Sequence, residues 1–253
     1  RSGNSWGPGN EFVGYKSPLS IRNPLVPLHK EATAGGAFSF PPREQPMHAV
    51  RRSLIAALDA VRTQNAGVST AVADRVSIVT FDASDAYHTP SLRVSLTHDY
   101  ASAMLACTTM QPVGDIGKTT ATENGLVLAR EHLELPSKGG AGRAMTKKVI
   151  ILLSDGIPNV WQSSAGEIAS GMSQYPSVEY YNSAYQWYNS VLVQSAEFQE
   201  VDKGSLYPIG MGLGADLDFS DRIARISKTD NNGQSPRGAG GPLDYESRLT
   251  DIF

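Results

Sequence analysis

The chain has 253 residues, of which 40% are hydrophobic and 19% charged, and its formal net charge is −3. This length allows one large α/β domain or two small ones, with a sizeable buried core. The charge gives no reason to expect nucleic acid or an anionic membrane surface as a partner. No apolar run reaches the roughly 18–20 residues that a transmembrane helix needs.

The first 45 residues are predicted to form an extended arm or a long loop. They are rich in Gly, Pro, Ser and Asn, and their apolar cluster, Pro24–Leu28, contains two prolines. Proline cannot donate to a ladder, so this cluster cannot be a central strand. We therefore divide the chain into an arm, residues 1–45, and a domain, residues 46–253.

The domain is predicted to alternate helices with strands. Helical spacing of apolar residues predicts a helix from Pro46 to about Gln64, and β-branched alternation predicts a strand at Arg75–Phe81. The elements that follow are an edge strand at 92–96, helices at 99–110 and 122–133, a strand at 149–153, a helix at 178–202, a strand at 204–209, and helices at 216–226 and 243–253. No element is predicted over Gly156–Pro176. This alternation is typical of a doubly wound, mainly parallel sheet with helices on both faces.

Neither the cysteine nor the histidines indicate a reactive site. Cys107 is the only cysteine, and its small apolar neighbours predict an inert core thiol. A phosphate loop at Gly117–Thr120 is not favoured, because Pro112 stands where the pattern needs a glycine. The histidines are scattered without the spacing of metal ligands: His29, His48, His88, His98 and His132. We therefore do not expect an enzyme.

The strongest functional pattern is Lys147–Asn159, KKVIILLSDGIPN. Five consecutive apolar residues predict a strand covered on both faces. Asp155 follows its carboxyl end, where open α/β sheets bind their ligands, although an aspartate that caps a turn is an alternative. Thr119 and Thr120 precede a predicted helix, in a loop that can lie beside this strand end. Hydroxyl and carboxylate oxygens are ligands of hard divalent cations such as Mg²⁺.

Taken together, these segments resemble a von Willebrand factor type A domain. The resemblance rests on RVSIVTF, GKTTATENGL, KKVIILLSDGIPN and LYPIGMGLGADLD, and it covers roughly residues 46–227. The tail GGPLDYESRLTDIF is similar to bacterial members associated with Tad/Flp pilus assembly. The family builds a metal-ion-dependent adhesion site, and the resemblance assigns Thr120 and Asp155 to it. It implies Mg²⁺ as the cofactor, with Ca²⁺ or Mn²⁺ as alternatives.

Two parts of the family pattern, an Asp-x-Ser-x-Ser loop and the apolar first strand before it, are missing from the sequence. Arg1–Ser5 reads like that loop without its leading Asp, which would make Ser2 and Asn4 metal ligands. Asp82–Ala86 carries the first two ligand types but follows the wrong strand, and is interpreted as an ordinary strand exit. A gap in the sheet would leave buried backbone groups unpaired, at about 1–3 kcal/mol each. We therefore expect this central strand to come from upstream of Arg1 or from another chain.

The resemblance implies a protein-binding module for adhesion or assembly in a bacterial cell-surface or pilus system. Mg²⁺ held by Thr120, Asp155 and the serine loop would keep one coordination position open for an acidic side chain of a partner protein. The implied location is extracellular, at the cell surface or in the periplasm. The alternative is a metal-independent structural subunit of a filament or surface layer, in which the arm, residues 1–45, contacts neighbouring subunits.

Overall fold

A computed structural model describes residues 28–41, 46–84, 89–110, 119–176, 180–211 and 214–230. Its strands are β1 (His29–Thr33), β2 (Gly36–Phe40), β3 (Val76–Thr80), β4 (Ser91–Thr97), β5 (Val149–Ser154) and β6 (Ser205–Gly210). Its helices are α1 (Met47–Gln64), α2 (Tyr100–Thr108), α3 (Thr122–Leu133), α4 (Ala165–Gln174), α5 (Gln186–Glu200) and α6 (Leu217–Ile226), with a short 3₁₀ helix at Pro136–Lys138. The chain divides into two compact units. The first unit holds the described residues of 1–78 and 93–118, and the second those of 79–92 and 119–244.

The first unit is built on the β1–β2 hairpin and on helices α1 and α2. The two strands pair antiparallel, with His29 opposite Phe40 and Thr33 opposite Gly36. Gly36 has a φ of 125°, which residues with a side chain rarely adopt, so glycine is required where the chain enters β2. Phe40 is fully buried and packs in one cluster with Ile55 of α1 and Met104 of α2. The hairpin is thereby part of this unit's core.

This hairpin differs from the extended arm predicted for residues 1–45. In β1 half-buried and exposed residues alternate, and the apolar residues of β2 give this short hairpin an inner face. The prediction gave weight to the prolines and glycines of the segment and missed the short alternating stretch. Residues 1–27 and 42–45 of the predicted arm lie outside the described residues.

Cys107 lies in the core of the first unit, as the sequence predicts. Its side chain is fully buried, its Sγ donates to the carbonyl oxygen of Ala103 at 3.3 Å, and burial raises the pKa of the thiol to about 12. Because the thiolate is the reactive species, we expect native Cys107 to resist an aromatic disulfide reagent at mildly alkaline pH and to react fully in denaturant. Absorbance of the released thiol measures this, and rapid labelling of the native protein would contradict it.

The second unit is organised by the parallel pair of β5 and β6. Val149 lies opposite Ser205 and Ser154 opposite Gly210, and the ladder continues as the Met211 N–H donates to the Ser154 carbonyl at 2.9 Å. Its core joins these strands to α3, α5 and α6 through buried residues: Leu126, Leu152, Val191, Leu192, Phe198, Leu206, Phe219 and Ile223. This pair fixes where the end of β5 lies.

The apolar run of β5 is less buried than predicted. Only Leu152 of the five residues is buried, and Val149 is 40% exposed. The described strands form three two-stranded sheets, β1–β2, β3–β4 and β5–β6, and within them β5 pairs only with β6. A strand on the other edge would shield these side chains further. No described strand pairs with the other edge of β5, and the source of the predicted central strand stays a prediction.

Two helices differ from the predictions. Helix α4 falls in the stretch for which no element is predicted, and it begins with a capping box. There the Glu167 N–H donates to the Ser164 hydroxyl, and the Glu167 carboxylate accepts from the Ser164 N–H. Helix α5 begins at Gln186 rather than near 178, because the Asn189 side chain bonds the preceding backbone at Tyr181 and Asn182. The predicted helix at 243–253 lies outside the described residues.

The aromatic residues around α5 pack mainly inward, as predicted. Tyr181 stacks on Tyr188 with ring centroids 4.4 Å apart, and Tyr188 meets Phe219 of α6 edge-on at 4.6 Å. Burial raises the pKa of Tyr188, whose hydroxyl donates to Asp216 Oδ2 at 2.8 Å. Only Tyr185 of this group is strongly exposed. Among the helices described, none combines the length and the hydropathy that a membrane crossing requires.

Candidate functional site

The carboxyl end of β5 places Ser154, Asp155 and Gly156 at one edge of the second unit. Asp155 is exposed, and the Ser154 hydroxyl donates to the Gly156 carbonyl at 3.1 Å. A Cβ on Gly214 would lie 2.6 Å from the Asp155 carbonyl oxygen, so any larger residue there would displace this backbone. The strand end is therefore held by close packing, while Asp155 remains accessible to solvent.

Thr120 is joined to the same loop by two hydrogen bonds. Its N–H donates to Asn159 Oδ1 at 2.7 Å, and its carbonyl accepts from the Asn159 N–H at 3.2 Å. The Thr120 hydroxyl oxygen lies 3.2 Å from where a Gly156 side chain would begin. The threonine loop thus lies directly beside Gly156, the neighbour of Asp155.

The first turn of α3 fixes the loop that follows Asp155. Glu123 is fully buried, and its Oε2 accepts from the N–H groups of Gln162, at 2.7 Å, and Ser163, at 3.3 Å. The Ser163 hydroxyl donates to Glu123 Oε1. Asn124 Nδ2 donates to Gln162 Oε1 at 2.8 Å. Because donors satisfy both oxygens of the buried Glu123 carboxylate, this group is a structural anchor.

Residues that follow β3 adjoin the start of α3. The Ala121 N–H donates to the Asp82 carbonyl at 2.8 Å, and Asn124 Nδ2 donates to the Ser84 hydroxyl at 3.2 Å. The stretch after β3, which is interpreted from sequence as the ordinary end of a strand, is therefore hydrogen-bonded to the residues that follow Thr120. Its last residues, Asp85 and Ala86, lie outside the described residues.

A small pocket opens at the carboxyl ends of β5 and β6. Polar residues that line it are Thr122, Ser154, Asp216 and Ser220. Asp216 caps α6: its Oδ1 accepts from the Phe219 N–H at 2.9 Å, and its Oδ2 accepts from Tyr188. Both of its oxygens are therefore engaged in structural bonds, whereas the Asp155 side chain is exposed.

Of the four residues predicted to hold the metal, Thr120 lies beside Gly156, the residue that follows Asp155. Ser2 and Asn4 lie outside the described residues. Sequence reasoning missed the contributions of Glu123 and Asn159. The sequence shows Asn159 directly after Pro158, behind the Asp-Gly motif. Its hydrogen bond to Thr120 could not be predicted, because the two residues are far apart in the chain.

No known protein-family profile matches the chain, and no curated protein matches its sequence. Solved structures match its fold. Proximal thread matrix protein 1 from the mussel byssus superposes with a TM-score of 0.53 at 14% identity, over 81% of this chain and 41% of that one. The manganese-loaded TRAP protein of Plasmodium vivax superposes with a TM-score of 0.50 at 14% identity, over 79% of this chain and 63% of that one.

The fold is therefore the Rossmann-like α/β fold of von Willebrand factor type A domains. A further match is the pilus adhesin SpaC from Lactobacillus rhamnosus GG, with a TM-score of 0.48 at 16% identity, over 81% of this chain and 27% of that one. The chain spans less than two thirds of the length of each of these three proteins.

Proposed function

We propose that the chain is a non-enzymatic, metal-dependent protein-binding module for adhesion or assembly outside the cell. The observation that carries the proposal is the position of the Thr120 loop beside the exposed strand end at Asp155. The fold adds support, because a solved protein of this fold, the Plasmodium TRAP protein, is loaded with manganese.

Mg²⁺ would bind the Asp155 carboxylate and the Thr120 hydroxyl, with Ser2 and Asn4 as the further ligands and Mn²⁺ or Ca²⁺ as substitutes. Mg²⁺ keeps several waters and needs few protein groups. Its remaining positive charge would attract an acidic side chain of a partner protein, which would replace one water. The surrounding bonds of Asn159 and Glu123 would keep the loops in place during this exchange.

The proposed setting is a bacterial cell surface or pilus system. A second candidate function, a structural subunit that needs no metal, is favoured by one observation. Among the described strands β5 pairs only with β6, so an added strand can pair with its other edge. A segment upstream of the first residue or a neighbouring subunit would supply that strand.

Replacing Asp155 with alanine is expected to lower Mg²⁺ affinity about 10-fold or more, because the charged ligand is lost. Titration calorimetry of Mg²⁺ into the wild type and Asp155→Ala measures this. Asp230→Ala is the matched control: Thr229 bonds the Leu206 carbonyl near the amino end of β6, so Asp230 belongs to the opposite end of the strand pair. Equal Mg²⁺ affinity in the wild type and Asp155→Ala would refute the metal site.

The Mg²⁺ titration, together with sedimentation of the wild type over a range of protein concentrations, separates the two candidate functions. Mg²⁺ binding that depends on Asp155 supports the adhesion module. If the wild type takes up no Mg²⁺ but sediments as larger species with increasing concentration, the structural subunit is the better description.

A further inference from the structure

Three side chains of the first unit converge, although the sequence shows no metal-type spacing among its histidines. His29, Glu31 and His48 each offer one ligand atom, and these atoms all lie within 4.8 Å of one another. His29 and Glu31 are two residues apart on β1, so strand alternation turns both to the same face. His48 belongs to the first turn of α1. Sequence spacing missed this group because its members come from a strand and a helix.

The separations from Glu31 to the two histidines are close to those between the ligands of one metal ion. His29 Nε2 lies 3.4 Å and His48 Nε2 lies 3.1 Å from the same carboxylate oxygen, Glu31 Oε2. Ligands bound tetrahedrally at about 2.0–2.1 Å from Zn²⁺ are about 3.3 Å apart. A charge-assisted hydrogen bond between an imidazolium and a carboxylate is shorter, about 2.7–2.9 Å. Both separations are close to the spacing of zinc ligands; the 3.1 Å of His48 also lies within the range of about 2.7–3.2 Å of an ordinary N–H···O hydrogen bond, whereas the 3.4 Å of His29 is longer than that range.

Neighbouring residues hold these groups in position. Arg52 Nε contacts the other carboxylate oxygen, Glu31 Oε1, at 2.9 Å, and Arg52 follows His48 by one helical turn. The ring of the fully buried Phe40 lies 5.8 Å from the ring of His29 and 5.6 Å from that of His48. The arginine keeps Oε2 turned to both imidazoles, an arrangement in which outer residues orient metal ligands.

We propose that His29, Glu31 and His48 bind Zn²⁺ through two imidazole nitrogens and one carboxylate oxygen. This donor set suits a borderline-soft divalent ion rather than the hard cation proposed for the strand end at Asp155. His48 is 3% exposed, whereas the side chain of His29 is 31% exposed, so the ion enters past His29 and a water completes its coordination. Bound zinc joins the β1–β2 hairpin to α1. It thereby stabilises the part of the first unit that sequence patterns predict least well.

Calorimetry with Zn²⁺ alone tests this on the untagged chain after treatment with a chelator. We expect one high-affinity ion per chain and a rise in the unfolding temperature on zinc binding. His48→Ala and Glu31→Gln should each weaken Zn²⁺ binding at least about 10-fold, since outer-residue changes alone cost 10–100-fold. His98→Ala, a histidine change outside the group, should leave Zn²⁺ affinity unchanged. Cobalt absorption in the visible range, typical of tetrahedral sites, should disappear in the same two variants.

Two results would overturn the proposal. One is the lack of saturable Zn²⁺ binding by the wild type, which would identify the group as an ion-paired network. The other is unchanged Zn²⁺ affinity in Glu31→Gln, which preserves side-chain size and is expected to fold, as circular dichroism will verify. Asp155→Ala should retain full Zn²⁺ affinity. The zinc site and the strand-end site can therefore fail independently.

Discussion

Replacing Arg130 with alanine is expected to lower the free energy of unfolding by about 3 kcal/mol, because it leaves a buried carboxylate without its partner. Arg130 extends from α3, and its side chain is 17% exposed. Its Nε contacts Asp202 Oδ2 at 2.8 Å, and its Nη1 contacts Glu197 Oε2 at 2.6 Å. Asp202, just after α5, is only 8% exposed and would lose its cation.

The charge of Arg130 persists throughout the pH range of the folded protein. Burial by itself lowers the pKa of Arg130, but the hydrogen bonds that Arg130 donates to Asp202 and Glu197, and the charges of these carboxylates, outweigh burial and raise it. The stability from this group therefore does not decline as pH rises through the neutral range. The pair joins the end of α5 to α3, two helices that pack around the core of the second unit.

Urea unfolding of the wild type and Arg130→Ala measures this loss. Arg93→Ala, which removes an exposed arginine from β4, is the matched control and should change stability by no more than about 0.5 kcal/mol. Combining Arg130→Ala with Asp202→Asn should cost less than the sum of the single changes, because the two residues share one interaction. If Arg130→Ala costs below about 1 kcal/mol, the pair behaves like an exposed salt bridge and the expectation fails.

Replacing Glu123 with glutamine is expected to cost about 2–3 kcal/mol, since hydrogen bonds to a charged group contribute about 1.5–3 kcal/mol each. The substitution keeps the size of the side chain. It exchanges an acceptor oxygen for an NH₂ group that would face the donors of Gln162 and Ser163. At least one buried donor would then lose its acceptor.

Hydrogen exchange at the Gln162 and Ser163 amides reports this change where it occurs, and urea unfolding gives its size. Glu131→Gln, an exposed carboxylate on the same helix, is the control and should leave both measurements unchanged. Glu123 holds Gln162 and Ser163 in the loop that runs from Gly156 to α4, so Mg²⁺ affinity should fall in Glu123→Gln, though less than in Asp155→Ala. Unaltered exchange at both amides would show that Glu123 does not anchor this loop.

The two substitutions address different parts of the second unit. Arg130 stabilises the packing of two helices, whereas Glu123 holds a loop beside the proposed metal site. A loss of Mg²⁺ affinity in Glu123→Gln but not in Arg130→Ala would show that loop position, and not overall stability, controls the site.

Periodicity in the sequence determined the regular elements and the place where the strand before Asp155 ends. Helix α1, the strands β3, β5 and β6, and helix α3 lie close to where apolar spacing predicts them. The five-residue apolar run Val149–Leu153 predicts a strand, and Asp155, two residues after it, predicts a ligand-binding edge. Such patterns are readable because they repeat every two or every 3.6 residues and depend on neighbours in the chain.

Only the tertiary structure decided which polar side chains meet. Thr120 bonds Asn159, Glu123 bonds the loop at Gln162, and Glu31 of β1 meets His48 of α1. Each pair joins two different elements or loops, so no local spacing encodes it. Burial makes the contacts of Glu123 and His48 necessary, because a polar group removed from water needs a partner wherever in the chain that partner lies.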